Sequence, residues 1–110
     1  MSNIMVYAIH APRPDHLAKV VSDMRAMGAP RIEVVDCGDY YMALEGSHRL
    51  AAAAELEITP EFVVRDQVDV LDITGYDWYD SANWSDTSYS AGEVAGELYS
   101  VQSHGYRFAV

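Results

Sequence analysis

A chain of 110 residues, half of them hydrophobic, fits one domain with a modest core. Its net charge of −10, from seven basic and seventeen acidic residues, sets the surface against nucleic-acid phosphates and argues against direct nucleic-acid binding. No apolar run approaches the ~20 residues of a membrane span, and residues 1–10 lack the regions of a signal peptide, so a cytoplasmic protein away from the membrane is expected. The lone Cys37 can form neither an internal disulfide nor a cysteine-based zinc site, and it reads as a structural or incidental thiol.

Met5 to Ile9 is apolar enough for a first strand, broken by the loop Ala11-Pro-Arg-Pro14. In Asp15–Met27 the apolar residues Leu17, Val20, Val21, Met24 and Met27 recur at helical spacing, with Gly28 and Pro30 as the stop; this helix is expected to pack on a sheet. Lys19, Ser22 and Ala26 lie on another side, so that Lys19 and Ser22 can point at one ligand. Ile32–Asp36 and Tyr40–Glu45 are predicted to form a hairpin about Cys37-Gly-Asp39. A helix follows from Ser47 to about Glu57, its run Ala51 to Ala54 small enough to approach the sheet closely, and Phe62-Val-Val64 begins another strand. From Gly75 to Gly92 five aromatics mix with polar and acidic residues without a period. This reads as a long loop, either a lid or partner-docking surface anchored by Trp78 and Trp84, or an extension whose rings wrap the body. Glu93–Gln102 resumes helical spacing, and Tyr106, Phe108 and Val110 alternate as a closing strand.

The junction Glu45-Gly46-Ser47-His48-Arg49 is the candidate site. The first N–H groups of a helix have no partner within it, and the macrodipole adds partial positive charge there. Gly46 allows close approach of a backbone or a phosphate, Ser47 can cap or donate, and Arg49 offers a fork suited to phosphate. The same residues are equally readable as ordinary capping chemistry with a solvated arginine. Glu45 is the nearest general base or Mg²⁺ ligand, unless strand alternation turns it into solvent on the other sheet face. His10 and Arg13 are candidates for the pocket rim.

Residues from about 4 to 72 resemble the ParB/sulfiredoxin superfamily. The stretch Asp39-Tyr-Tyr-Met-Ala-Leu-Glu-Gly-Ser-His-Arg-Leu-Ala-Ala-Ala is similar to the sulfiredoxin signature, in which a strand leads to Gly-Cys-His-Arg and a helix. Ala18-Lys-Val-Val-Ser22 is similar to the helix on which that family places a lysine and a serine against nucleotide phosphates. The resemblance implies an α+β fold, a compact mixed sheet with packed helices. Residues 1–74 would form the ParB/sulfiredoxin-like domain, and residues 75–110, the aromatic acidic loop with a C-terminal helix and short strand, would pack on it. Lys19, Ser22, Gly46, Ser47, His48 and Arg49 would surround the phosphates of a nucleoside triphosphate or diphosphate with Mg²⁺. A further family hydroxyl is Ala26 here, and Ser47 stands at the catalytic cysteine, so sulfiredoxin chemistry is not expected: a hydroxyl without an adjacent base is a poor nucleophile. Other members bind CTP, or move phosphate from ADP to serine. The implied function is nucleotide-phosphate binding, with phosphoryl transfer or nucleotide hydrolysis as the enzymatic form. Its non-catalytic counterparts are a nucleotide sensor acting on a protein partner through residues 75–92, or an interaction scaffold.

Overall fold

The computed structural model describes residues 5–9, 13–101 and 107–109, with Val101 and 107–109 described by backbone alone. The expectations on His10, Ala11, Pro12, Gln102, Tyr106 and Val110 lie outside the described residues. The chain runs β1 (Met5–Tyr7), α1 (Pro14–Met27), β2 (Arg31–Asp36), β3 (Tyr40–Ala43), α2 (Ser47–Leu56), β4 (Glu61–Arg65), β5 (Val70–Asp72), a 3₁₀ turn (Ile73–Gly75), β6 (Ser88–Ser90), α3 (Ala91–Val101) and β7 (Arg107–Ala109). The fold class is α+β.

The main sheet has the order β4-β2-β3-β1-β7. The β2–β3 hairpin is antiparallel, with Val35 opposite Met42. On either side of it β1 joins β3 and β4 joins β2 in parallel, and β7 closes antiparallel on β1. The sheet has a packed cluster on each face, one shared with α3 and one beneath α2. Alternation divides β3 as its sequence suggests: Met42 and Leu44 enter a cluster with Val35 and the α3 residues Ala91, Val94, Ala95 and Leu98, while Ala43 joins Val6, Ile32, Val34 and Leu50 beneath α2.

Four differences from the sequence reading concern this packing. First, α1 lies on α2, not directly on the sheet. Met24 is buried with Ala52 and Ala53, flanked by Leu17, Val20, Val21, Leu56 and Ile58. The alanine run therefore has two neighbours, with Ala51 to Ala53 buried, because small side chains let two layers approach the same helix. Second, Met27 is 85% exposed despite its place in the apolar period: α1 ends there and α2 offers nothing to cover it. Third, the second hairpin strand stops at Ala43, so Leu44 and Glu45 belong to the bend into α2.

The fourth difference is in the aromatic segment. It contains β6, paired antiparallel with β5 from Asp72↔Ser88 to Val70↔Ser90, and a strand this short shows no period. α3 then starts at Ala91, earlier than the apolar spacing places it. Ser90 and Glu93 explain the start: Glu93 N–H donates to Ser90 Oγ at 3.3 Å, and Ser90 Oγ donates to Glu93 Oε1 at 2.9 Å. This Ser-x-x-Glu pattern is a helix-start signal present in the sequence. Between the two strands the rings form a chain: Tyr76 stacks on Trp78 at 5.1 Å, Trp78 meets Trp84 at 5.3 Å, and Trp84 meets Tyr89 at 5.3 Å. All four pack against the core cluster shared with α3, so the segment wraps the body.

Candidate functional site

Gly46 makes the strand-to-helix junction. Its φ of 77° and ψ of 33° are left-handed, a conformation that costs other residues about 1–2 kcal/mol. It is the N-cap of α2, and its carbonyl accepts the first helical bond from Leu50 N–H at 2.8 Å. Ser47 is therefore not the cap that the sequence suggests. It is the first helical residue and is only 4% exposed.

The space over Gly46 is taken by Arg49. A Cβ at Gly46 would lie 3.1 Å from Arg49 Nη2. That nitrogen donates to Glu45 Oε1 at 2.5 Å, and Nη1 donates to the Arg31 carbonyl at 2.8 Å. The glycine accommodates a guanidinium of its own helix, which bridges the bend before α2 and the start of β2. Glu45, expected either as a base or as a solvent-facing residue, is the counter-ion of Arg49, and both side chains are partly exposed.

His48 ties the first turns of two helices together. Its Nε2 accepts the backbone N–H of Arg13 at 2.9 Å, and Arg13 is the N-cap of α1. A nitrogen that accepts this bond carries no proton, so the ring is held as the Nδ1–H tautomer. His16, in the first turn of α1, packs edge-on against His48 with ring centres 4.3 Å apart. Pro14 fits the first turn of α1 because its missing N–H is one the turn leaves unpaired in any case. Asp15 in that turn offsets part of the positive potential.

Lys19 and Ser22 stand elsewhere. Both are exposed on α1. Ser22 lines a hollow of about 260 Å³ with Ala18, Val21, Arg25 and Glu55. Arg49 lines another, of about 420 Å³, with Val20, Asp23, Met24 and Met27 among its walls. Lys19 lines neither hollow. The ammonium, hydroxyl, imidazole and guanidinium expected around one pocket are thus distributed: His48 and Arg49 lie in the first turn of α2, and Lys19 and Ser22 are exposed on α1. Helix geometry gives the reason. α1 is pinned to α2 by Leu17, Val20, Val21 and Met24, so Lys19 and Ser22, on the opposite side of the helix, face solvent.

Two further groups matter near the junction, and neither stood out in the sequence. Glu33 receives Arg65 Nη2 at 2.8 Å and Nε at 3.2 Å on Oε2, and the Tyr76 hydroxyl on Oε1. Burial, followed by the bond to Glu33, pushes the Tyr76 phenol well above the usual tyrosine range. Trp78 Nε1–H donates to the Leu44 carbonyl at 2.7 Å. Cys37 is half-buried, and burial raises its thiol pKa, in keeping with a structural thiol. Among the described residues no three His, Cys, Asp or Glu side chains form a metal-binding group, and no helix is long and apolar enough to cross a membrane. Comparison with protein-family models, curated proteins and solved structures gave no match.

Proposed function

We propose that the protein binds nucleotide phosphates where the first turns of α1 and α2 meet. The observation behind this reading is the bond from Arg13 N–H to His48 Nε2, which brings two helix N-termini, each with partial positive charge, to one place. His16 and His48 add ring N–H donors, and Arg49 adds a guanidinium that can exchange Glu45 for a phosphate, its Glu45 pair being partly exposed. Lys19 contributes charge at longer range. Mg²⁺ would arrive on the phosphates, as that ion commonly does, and not in a resident protein cluster.

Binding without turnover is the primary form of the proposal, because Glu45, the nearest candidate base, is neutralised by Arg49. A phosphotransferase or nucleotide hydrolase would require Glu45 to be released when the nucleotide enters. A second reading, an interaction scaffold without ligand, draws on the same ion pair: Arg49 already has two acceptors. A partner at residues 75–92 would meet the exposed Asn83, Ser85 and Asp86, since the indoles pack on the core.

Thermal denaturation with ATP, ADP, CTP and GTP, each with Mg²⁺, tests these readings on the wild type and on Arg49→Ala, His48→Ala and Lys19→Ala. Ligand at about a hundred times its dissociation constant stabilises by ~2.7 kcal/mol, and each kcal/mol moves the midpoint by roughly 4 °C or more in a domain of this size. The expected result is a rise that Arg49→Ala and His48→Ala abolish and Lys19→Ala weakens. No rise with any nucleotide withdraws the proposal in favour of the scaffold. Phosphate release on incubation with the stabilising nucleotide separates enzyme from sensor.

A further inference from the structure

The geometry of β4 points to self-association: we propose that two copies of the chain pair antiparallel through β4 about a two-fold axis at Val63, joining their main sheets into one. β4 ends the sheet order, with β2 on one side only. Glu61 N–H donates to the Pro30 carbonyl at 2.8 Å, so Glu61, Val63 and Arg65 direct their backbone groups at β2. Phe62 and Val64 therefore aim their N–H and C=O groups outward. The ladder has defined ends, because Pro60 has no N–H and the N–H of Asp66 is held by Asp69 Oδ2 at 3.0 Å.

The sequence Glu61-Phe-Val-Val-Arg65 complements itself in this arrangement. With Val63 facing Val63 as a pair without hydrogen bonds, Phe62 and Val64 of opposite copies become the pairs that exchange both backbone bonds. Glu61 then stands across from Arg65 of the second copy at both ends, an opposite-charge pairing that this register provides twice and that would add to the contacts of Arg65 with Glu33 and of Glu61 with Arg31 Nε at 3.9 Å in each copy. Val64, 47% exposed in the single chain, is covered by the ring of Phe62 from the second copy. The surface composition agrees: three of the four exposed large hydrophobic residues, Val64, Val68 and Val70, lie on β4, β5 and the turn joining them. A bare edge with apolar side chains invites a further strand, and a second copy is the strand whose charges match.

Sedimentation velocity over a concentration series tests the proposal. The wild type should be a reversible dimer. Val64→Pro removes an outward N–H from each copy while leaving the bonds to β2 intact, and should weaken the dimer by roughly tenfold or more. Glu61→Arg, which opposes Arg65, should weaken it in a salt-dependent way. In the wild-type dimer the Phe62 and Val64 amides should gain hydrogen-exchange protection as concentration rises. A wild type that stays monomeric, a dimer unchanged by both substitutions, or a dimer in which those two amides exchange freely would overturn the proposal. If Val64→Pro fails to fold, Glu61→Arg and the wild-type exchange pattern decide it.

Discussion

Trp78 donates its indole N–H to the Leu44 carbonyl at 2.7 Å, and that carbonyl belongs to the peptide bond entering Glu45. The Leu44 N–H is in turn held by the Glu33 carbonyl at 2.9 Å. The bend that carries the Arg49 counter-ion is therefore gripped from the sheet on one side and from the aromatic segment on the other. Trp78→Phe keeps an aromatic ring beside Tyr76 but removes the donor. Leaving the Leu44 carbonyl unpaired should cost about 1–3 kcal/mol, read as a lower thermal midpoint. A variant as stable as the wild type would show that this bond does not hold the bend.

Glu45→Gln separates the two candidate roles of Arg49. The Glu45–Arg49 pair is partly exposed, so its loss should change stability by less than about 1 kcal/mol. Freed from its carboxylate, Arg49 should bind inorganic phosphate or a nucleotide more tightly, which titration calorimetry can measure. Equal or weaker affinity in Glu45→Gln would place Arg49 outside the binding site.

Gly46→Ala should destabilise the protein by about 1–2 kcal/mol, the cost of a left-handed conformation in a residue with a Cβ. The new methyl would also press on Arg49 Nη2 from 3.1 Å, so the guanidinium must shift. At an ordinary site the same change stabilises by restricting the unfolded chain. The sign of the shift in denaturation midpoint thus tests the junction directly.

Alkaline pH should weaken the fold through Tyr76. Its native-state pKa is raised, by burial first and then by the bond to Glu33, so the folded protein holds the phenolic proton more tightly than the unfolded chain does. That contribution is complete below the unfolded value of about 10 and is lost as pH rises from there toward the folded pKa. Tyr76→Phe should flatten the alkaline fall in thermal midpoint. An unchanged slope would place the loss at another group.

The α1–α2 contact makes a paired prediction. Ala52→Leu, at a site with no exposure between the helices, should cost about 1–3 kcal/mol by overpacking. Met27→Lys, at a residue 85% exposed, should stay within about 0.5 kcal/mol. Were the apolar period of α1 a true guide to burial at its last turn, Met27→Lys would be the more damaging of the two.

That contrast shows what was legible in the residues. Periodicity located α1, the glycine-serine junction and alanine run located α2, and alternation from Tyr40 onward separated Met42 and Leu44 from Ala43, because these signals are local. It could not say that α1 rests on α2, since Leu17, Val20 and Met24 would suit a sheet or a helix equally well. At the junction, the strand–glycine–helix turn was readable from Gly46, and the shared first turn of His48 and Arg49 followed from adjacency. The occupant of Arg49 was not, because the choice between Glu45, the Arg31 carbonyl and solvent depends on how the bend folds. The turning away of Lys19 and Ser22 was hidden for the same reason as the helix contact: the rotation of α1 about its own axis is set by its neighbour.

The β5–β6 pair has a consequence for the segment it closes. Asp72 and Ser88 stand side by side across that ladder, so the intervening chain leaves and returns at one point like a loop of thread through a single buttonhole. Changes of length at its exposed tip, residues 80–83 between the packed Tyr79 and Trp84, need not propagate to α3 or to the main sheet, and lengthening a closed loop costs little entropy. That tip is accordingly the stretch where relatives of this protein are free to differ most in length while the body beneath keeps its shape.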